Sequence, residues 1–116
     1  MNIEELREYC LAKKGVTESM PFGDDALVFK VMDKMFLLSN LEGQLQINVK
    51  CEPEKAIRLR EEYPAVTPGY HMSKKHWNTI MIDGSIPREK ICNWIDESYE
   101  LIVKGLPKSK QNKLIN

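Results

Sequence analysis

The sequence predicts an α+β domain: a twisted antiparallel sheet with helices packed on one face. Three observations carry that prediction. Residues 44–50 alternate, Leu45, Ile47 and Val49 against Gln44, Gln46, Asn48 and Lys50, which is the pattern of a strand with one buried and one wet face. Asp33-Lys34 and Glu42-Gly43 separate consecutive strand-like runs and leave no room for crossover helices, which argues against a parallel doubly wound sheet. Apolar residues recur at helical spacing at the start of the chain, after residue 52 and near the end, so the strands come in a run with helices around them.

Taken in order, Ile3, Leu6 and Cys10 form the apolar stripe of a first helix, with Asn2 as N-cap, Glu5 in position to close a capping box, and Gly15 as its end. Val16 to Phe22 reads as a short strand, and Pro21 assigns it to an edge. Ala26 to Met32 puts Leu27, Phe29 and Val31 on one side and Val28, Lys30 and Met32 on the other; Asp33-Lys34 turns the chain and Met35 to Leu41 returns. After the alternating strand, Pro53 opens a second helix that ends at Tyr63-Pro64. Trp77 to Ile82 is a further strand between Pro68-Gly69 and Asp83-Gly84. From Pro87 to Gly105, Ile91, Trp94, Ile95, Ser98, Tyr99, Ile102 and Val103 give the last helix a wide buried face. Residues 106–116 read as a basic, partly mobile tail of a single domain spanning 1–116.

Length and composition limit the function classes. A chain of 116 residues fits one domain and can bury roughly two-thirds of its unfolded surface. No apolar run approaches the roughly 18 residues of a membrane span, and the acidic-amphipathic N-terminus is unlike a secretory leader, so a cytoplasmic protein with no membrane partner is expected. Cys10, Cys51 and Cys92 have no metal or redox spacing and read as reduced, mostly buried thiols. Formal charge is zero, but residues 1–62 carry 12 acids against 9 bases and residues 63–116 carry 5 against 8, so the halves stand at −3 and +3. That asymmetry favours an anionic partner for the second half, bound modestly and with salt sensitivity.

Chemistry-bearing residues concentrate between Thr67 and Gly84, where Tyr70, His71, Lys74, Lys75, His76 and Trp77 stand together. The two histidines are five apart, a poor match to a zinc-binding helix pair, and the usual signals of nucleophilic, phosphoryl-transfer or hydride chemistry are missing. No enzyme activity, cofactor or metal site is therefore expected. Lysines interleaved with aromatics can meet a phosphate backbone by charge and a base by stacking. A solvated loop with a core tryptophan is the plainer reading of the same residues.

Four ordered segments make the chain resemble the MmcQ/YjbR family of small bacterial proteins. They are Ser19-Met20-Pro21-Phe22-Gly23, residues 29–36, residues 68–79 (Pro-Gly-Tyr-His-Met-Ser-Lys-Lys-His-Trp-Asn-Thr), and residues 98–103 with Gly105-Leu106-Pro107-Lys108. The resemblance implies a CyaY-like, or frataxin-like, fold and a double-wing DNA-binding motif, with wings at the Asp33-Lys34 turn and at the loop entering Trp77. Asp33 stands where a glycine is common in relatives and puts an acid on a wing tip. The resulting expectation is a non-enzymatic DNA-binding protein that contacts phosphates through Lys34, Lys74, Lys75 and His76, with Lys30 and His71 as lesser contacts. The alternatives are a protein-interaction or small-ligand module using the polar face of Gln44, Gln46, Asn48 and Lys50, and weak metal binding by Glu4, Glu5, Glu8, Glu18, Asp24 and Asp25.

Overall fold

The computed structural model describes residues 1–70 and 72–115. The chain runs α1 (Ile3–Leu11), β1 (Val16–Ser19), β2 (Ala26–Val31), β3 (Lys34–Asn40), β4 (Gln46–Lys50), α2 (Pro53–Glu62), β5 (Val66–Pro68), β6 (Trp77–Met81), α3 (Arg88–Lys104) and α4 (Lys108–Ile115). The strands form one sheet in the order β1-β2-β3-β4-β6-β5, antiparallel at every pairing. The α+β architecture expected from the alternating runs is the one observed.

One face of the sheet carries the core. Leu27, Phe29, Val31, Phe36, Leu37, Ile47, Val49 and Ile80 meet Leu6 and Cys10 of α1, Ala56 and Leu59 of α2, and Ile91, Trp94 and Ile95 of α3 in a single buried cluster. Full burial of side chains the size of Phe29, Phe36 and Leu37 contributes about 1.5–3 kcal/mol each. Polar pins then set the helix positions. The Asn2–Glu5 capping box starts α1, with the Glu5 amide donating to Asn2 Oδ1 at 2.8 Å and the Asn2 amide to Glu5 Oε1 at 3.1 Å. Buried Ser98 of α3 donates to the Phe36 carbonyl (2.6 Å) and accepts from the Lys50 amide (2.8 Å), which ties the helix to two central strands. Tyr9 donates to Asp96 at 2.7 Å, and the Lys13 ammonium pairs with Asp96 while lying 5.0 and 5.3 Å from the Tyr9 and Tyr99 rings. Burial, then the Asp96 hydrogen bond, pushes the Tyr9 hydroxyl well above its usual range.

Four details differ from the sequence reading. The first strand stops at Ser19, so Phe22 falls in the β1–β2 loop and is 71% exposed. The β2–β3 turn is made by Met32 and Asp33, both left-handed at φ 49° and 69°, and Lys34 is already the first residue of β3. Val66–Pro68 forms an extra edge strand on β6. Residues 108–115, expected within a mobile tail, form α4. Its Leu114 packs so close to Gly15 that a Cβ there would lie 2.5 Å from Leu114 Cδ2, and Gln111 Nε2 donates to the Leu106 carbonyl at 2.7 Å.

Candidate functional site

No described helix packs on the other sheet face, although Val28 on it is only 1% exposed, and cross-strand register defines its contents. Ser19, Val28, Leu38, Asn48, Thr79 and Thr67 pair in succession and form one row across all six strands. The row is apolar at Val28 and Leu38 and polar at Asn48, Thr79 and Thr67. A parallel row holds Thr17, Lys30 and Met35, and Lys50 opposite Trp77. Gln46 and Asn48 therefore face away from the helices, as their alternation predicts, whereas Lys50 at the strand end lines a hollow with Lys34 and with Leu101, Ile102 and Leu106 at the end of α3. Asn48 is nonetheless only 8% exposed: it accepts from Thr79 Oγ1 at 2.6 Å, and Thr79 Oγ1 in turn accepts the Tyr70 amide at 3.1 Å. Gln44 lies in the β3–β4 loop and donates to the Ile82 carbonyl at 2.7 Å.

The segment between β5 and β6 folds back on this sheet, and each of several residues has a mechanical part in holding it. Gly69 must be glycine, because a Cβ would stand 2.8 Å from Trp77 Cβ and 3.0 Å from its carbonyl oxygen. Ser73 closes the loop by accepting the His76 and Trp77 amides at 3.2 and 2.9 Å. Arg60 of α2 grips it from the core side: Nε donates to Asn78 Oδ1 at 2.7 Å, and Nη2 reaches the Lys74 and Trp77 carbonyls. Buried Asn78 is braced in turn by donating to the Ala56 carbonyl at 3.3 Å. Arg60 and Asn78 carry no mark in a sequence pattern; their only signal is a polar pair interrupting otherwise apolar helix and strand faces.

The expected cationic residues collect at one end of the sheet. β3 starts at Lys34, β4 ends at Lys50 and β6 starts at Trp77, so in antiparallel order these three positions share an end, and the Cys51 amide donates to the His76 carbonyl at 2.8 Å. Lys34 and His76 are thus separated by β4 alone. Lys74 and Lys75 are exposed in the loop at the same end, Lys74 Nζ donating to the Gly69 carbonyl at 3.3 Å, and Lys30 lies on the uncovered face opposite Met35. His71 lies outside the described residues. Among the described residues the ion pairs join Arg7 to Glu18, Lys13 to Asp96, Lys55 to Glu97 and Arg88 to Glu5, which leaves Lys30, Lys34, Lys50, Lys74 and Lys75 without a carboxylate partner. Asp24, Asp25, Glu42 and Asp83 fall in loops at the opposite end. The uncovered face is therefore electrically polar along its strands, interrupted at the basic end by Asp33 and Glu52.

Two hollows lie on this face. One, about 400 Å³, is lined by Phe22, Ala26, Met35, Leu38 and Met72; the other, about 300 Å³, includes Gln46, Thr67, Thr79, Met81, Asp83 and Ser85. The acidic residues considered for metal binding are dispersed and in part engaged. Glu18 is held below its usual carboxylate range by Arg7, and Glu5 by the Asn2 amide and then Arg88. Burial pushes the Cys10 thiol up to about 12 and raises Cys51, which suits packing better than nucleophilic chemistry.

Comparison with known proteins assigns this geometry to a family. The family model described as YjbR matches residues 11–101. The chain belongs to the YjbR family. Among YjbR-family relatives, the uncharacterised protein YjbR of Escherichia coli K12 is 36% identical over 116 residues, covering 99% of this chain and 98% of that one. The uncharacterised YbdF of Escherichia coli O157:H7 is 39% identical over 95 residues, 81% of this chain and 78% of its own. The crystal structure of Deinococcus radiodurans DR2400, described with domain DUF419, superposes with a TM-score of 0.91 at 35% identity, covering 97% of this chain and 87% of that one. A crystal structure from Pseudomonas syringae gives 0.77 at 28% identity, covering 87% and 98%. Over nearly its whole length, this YjbR-family chain thus shares its architecture with solved proteins.

Proposed function

We propose that the protein is a non-enzymatic DNA-binding domain that holds the phosphate backbone against the basic end of its sheet. The observation carrying this reading is that Lys34, Lys50, Lys74 and Lys75 stand at one sheet end and make no ion pair among the described residues. Unneutralised ammonium groups on neighbouring strands and an adjoining loop attract a polyanion by releasing its condensed counterions. Affinity should therefore be modest, sequence-tolerant and steeply salt-dependent. His76 is half-buried with its main chain held by Ser73 and Cys51, so it adds a side contact at the edge of the patch. Lys30 extends the patch onto the uncovered face.

The test is fluorescence anisotropy of labelled DNA titrated with the full chain at low salt. Replacing Lys34, Lys74 and Lys75 together by alanine should weaken binding by more than tenfold and lower the slope of log affinity against log salt by about 2–3, close to one per lost phosphate contact. Binding that is undetectable at low salt in the parent protein, or unchanged in the triple variant, rejects the reading.

A further inference from the structure

We infer that the nucleic acid taken by this domain is an unpaired strand, with its phosphates at the basic end and its bases laid on the helix-free sheet face. The inference rests on the DNA-binding reading and narrows it to a substrate class.

The β2–β3 connection is a poor wing. Met32 and Asp33 alone make the turn, pairing continues to Val31 opposite Lys34, and both strands are interior to the sheet, flanked by β1 and β4. A hairpin cut off at its last pair has little to insert into a duplex groove, which must admit a whole helix or ribbon to be read. A duplex could rest only on the lysine-bearing end, and the uncovered face would stay unused.

That face has what an unpaired base needs. Phe22 is 71% exposed and Tyr70 67%, and Trp77 is half-buried beside Lys50. The Phe22–Met72 hollow, floored by Ala26, Met35 and Leu38, holds about 400 Å³, within the roughly 300–1,000 Å³ of small-ligand pockets. Stacking on exposed aromatics is available only to bases released from a duplex, where each π-face already lies against the neighbouring pair, and it tolerates any sequence because every base has a π-face. Beyond the row's midpoint, Gln46 and Thr67 give the second hollow polar groups suited to base edges, beside the Ser85–Asp83 pair.

Charge sets the direction of the strand. Lys30, Lys74 and Lys75 border the face at one end, with Lys34 and Lys50 at the same sheet end against the close of α3 and Asp33 and Glu52 interrupting them, while Asp24, Asp25, Glu42 and Asp83 border it at the other. Phosphates are drawn to the first end and repelled from the second, so the backbone follows the lysines and the uncharged bases reach along the strands toward Phe22. A protein partner would find the same apolar hollow, but nothing in its own chemistry would call for a row of unpaired lysines beside it.

The experiment compares a labelled thymidine oligomer of about 12 nucleotides, inside the roughly 4–16 nucleotide footprint of single-strand platforms, with a duplex of equal length. The oligomer should bind at least tenfold tighter. Phe22→Ala, at an exposed position that leaves the core untouched, should weaken the oligomer roughly tenfold, the loss of one stacked base, and leave duplex affinity unchanged. Lys74→Ala/Lys75→Ala should weaken both. Equal or tighter duplex binding, or an oligomer affinity indifferent to Phe22→Ala, overturns this inference while leaving the lysine-dependent DNA reading standing. If neither nucleic acid binds and the protein instead self-associates through Phe22, both readings fall.

Discussion

Leu37 and Leu38 are neighbours in the chain and opposites in the structure. Leu37 points into the helix-covered face, is fully buried and sits among Phe29, Val49 and the helices. Leu38 points to the uncovered face, is half-buried and lines the hollow beside Phe22 and Met72. The same side chain is a core element at one position and an accessible surface at the next, because strand side chains alternate and only one face of this sheet has helices. Stability thus rests on one face, and the proposed recognition falls to the other.

The most direct way to break that division is to truncate both leucines. Leu37→Ala should cost about 2–5 kcal/mol, the usual range for a fully buried leucine whose cavity cannot collapse. Leu38→Ala should cost less than about 1.5 kcal/mol, since solvent or a neighbouring loop side chain can take up the space. Urea denaturation at matched slope measures both. Equal costs would mean that the uncovered face is packed as tightly as the core and has no room for a ligand.

A second experiment asks whether the loop over the uncovered face depends on the covered one. Arg60→Ala removes the grip on Asn78, Lys74 and Trp77, leaves the buried Asn78 carbonyl oxygen without its donor, and should cost about 1–3 kcal/mol. Amide exchange should distinguish this from uniform destabilisation. The His76 and Trp77 amides, which close the loop onto Ser73, should lose protection by more than the global stability loss explains, while the Leu37 amide follows the global change. Loop and core amides shifting together would show that Arg60 acts on the fold at large.

The covered face was the legible part of the sequence, and for a physical reason. Leu27, Phe29 and Val31, like Ile47 and Val49, repeat with the period of a pleated strand, while Asn2 and Glu5 carry a local hydrogen-bond pattern that needs no tertiary context. What escaped was made by contacts distant in sequence. Val66–Pro68 is too short for a periodicity and is a strand only because β6 lies beside it. The helix at 108–115 has hardly any apolar stripe, and Leu114 against Gly15 fixes it from the far end of the chain. The turn was misplaced by one residue because Met32, not a glycine, occupies a left-handed position. The lysines were visible as composition, but their gathering at one sheet end follows from β6 pairing with β4 after the α2 excursion. No local pattern announces that, nor the meeting of Phe22 with Met72 across the face.

The smallest expected effect is the sharpest on where the two functions meet. Asp33 holds φ 69° at the turn, a conformation that costs an ordinary L-residue about 1–2 kcal/mol and an aspartate somewhat less, and it places a carboxylate among Lys34 and the other basic groups. Asp33→Gly relieves the strain, although glycine's greater freedom in the unfolded chain takes part of the gain back, so stability should rise by less than about 1 kcal/mol. It also removes one of the two acids, Asp33 and Glu52, at the basic end, so affinity for DNA should rise a few-fold at low salt. The two consequences separate by ionic strength. Screening with a Debye length near 3 Å at about 1 M salt abolishes the affinity gain but leaves the backbone gain intact. A stability increase that persists in high salt beside an affinity increase that vanishes assigns the strain to the turn and the repulsion to the binding end. An affinity that ignores Asp33 at every salt concentration places the nucleic acid away from the β2–β3 turn, toward Lys74, Lys75 and the loop that Arg60 holds.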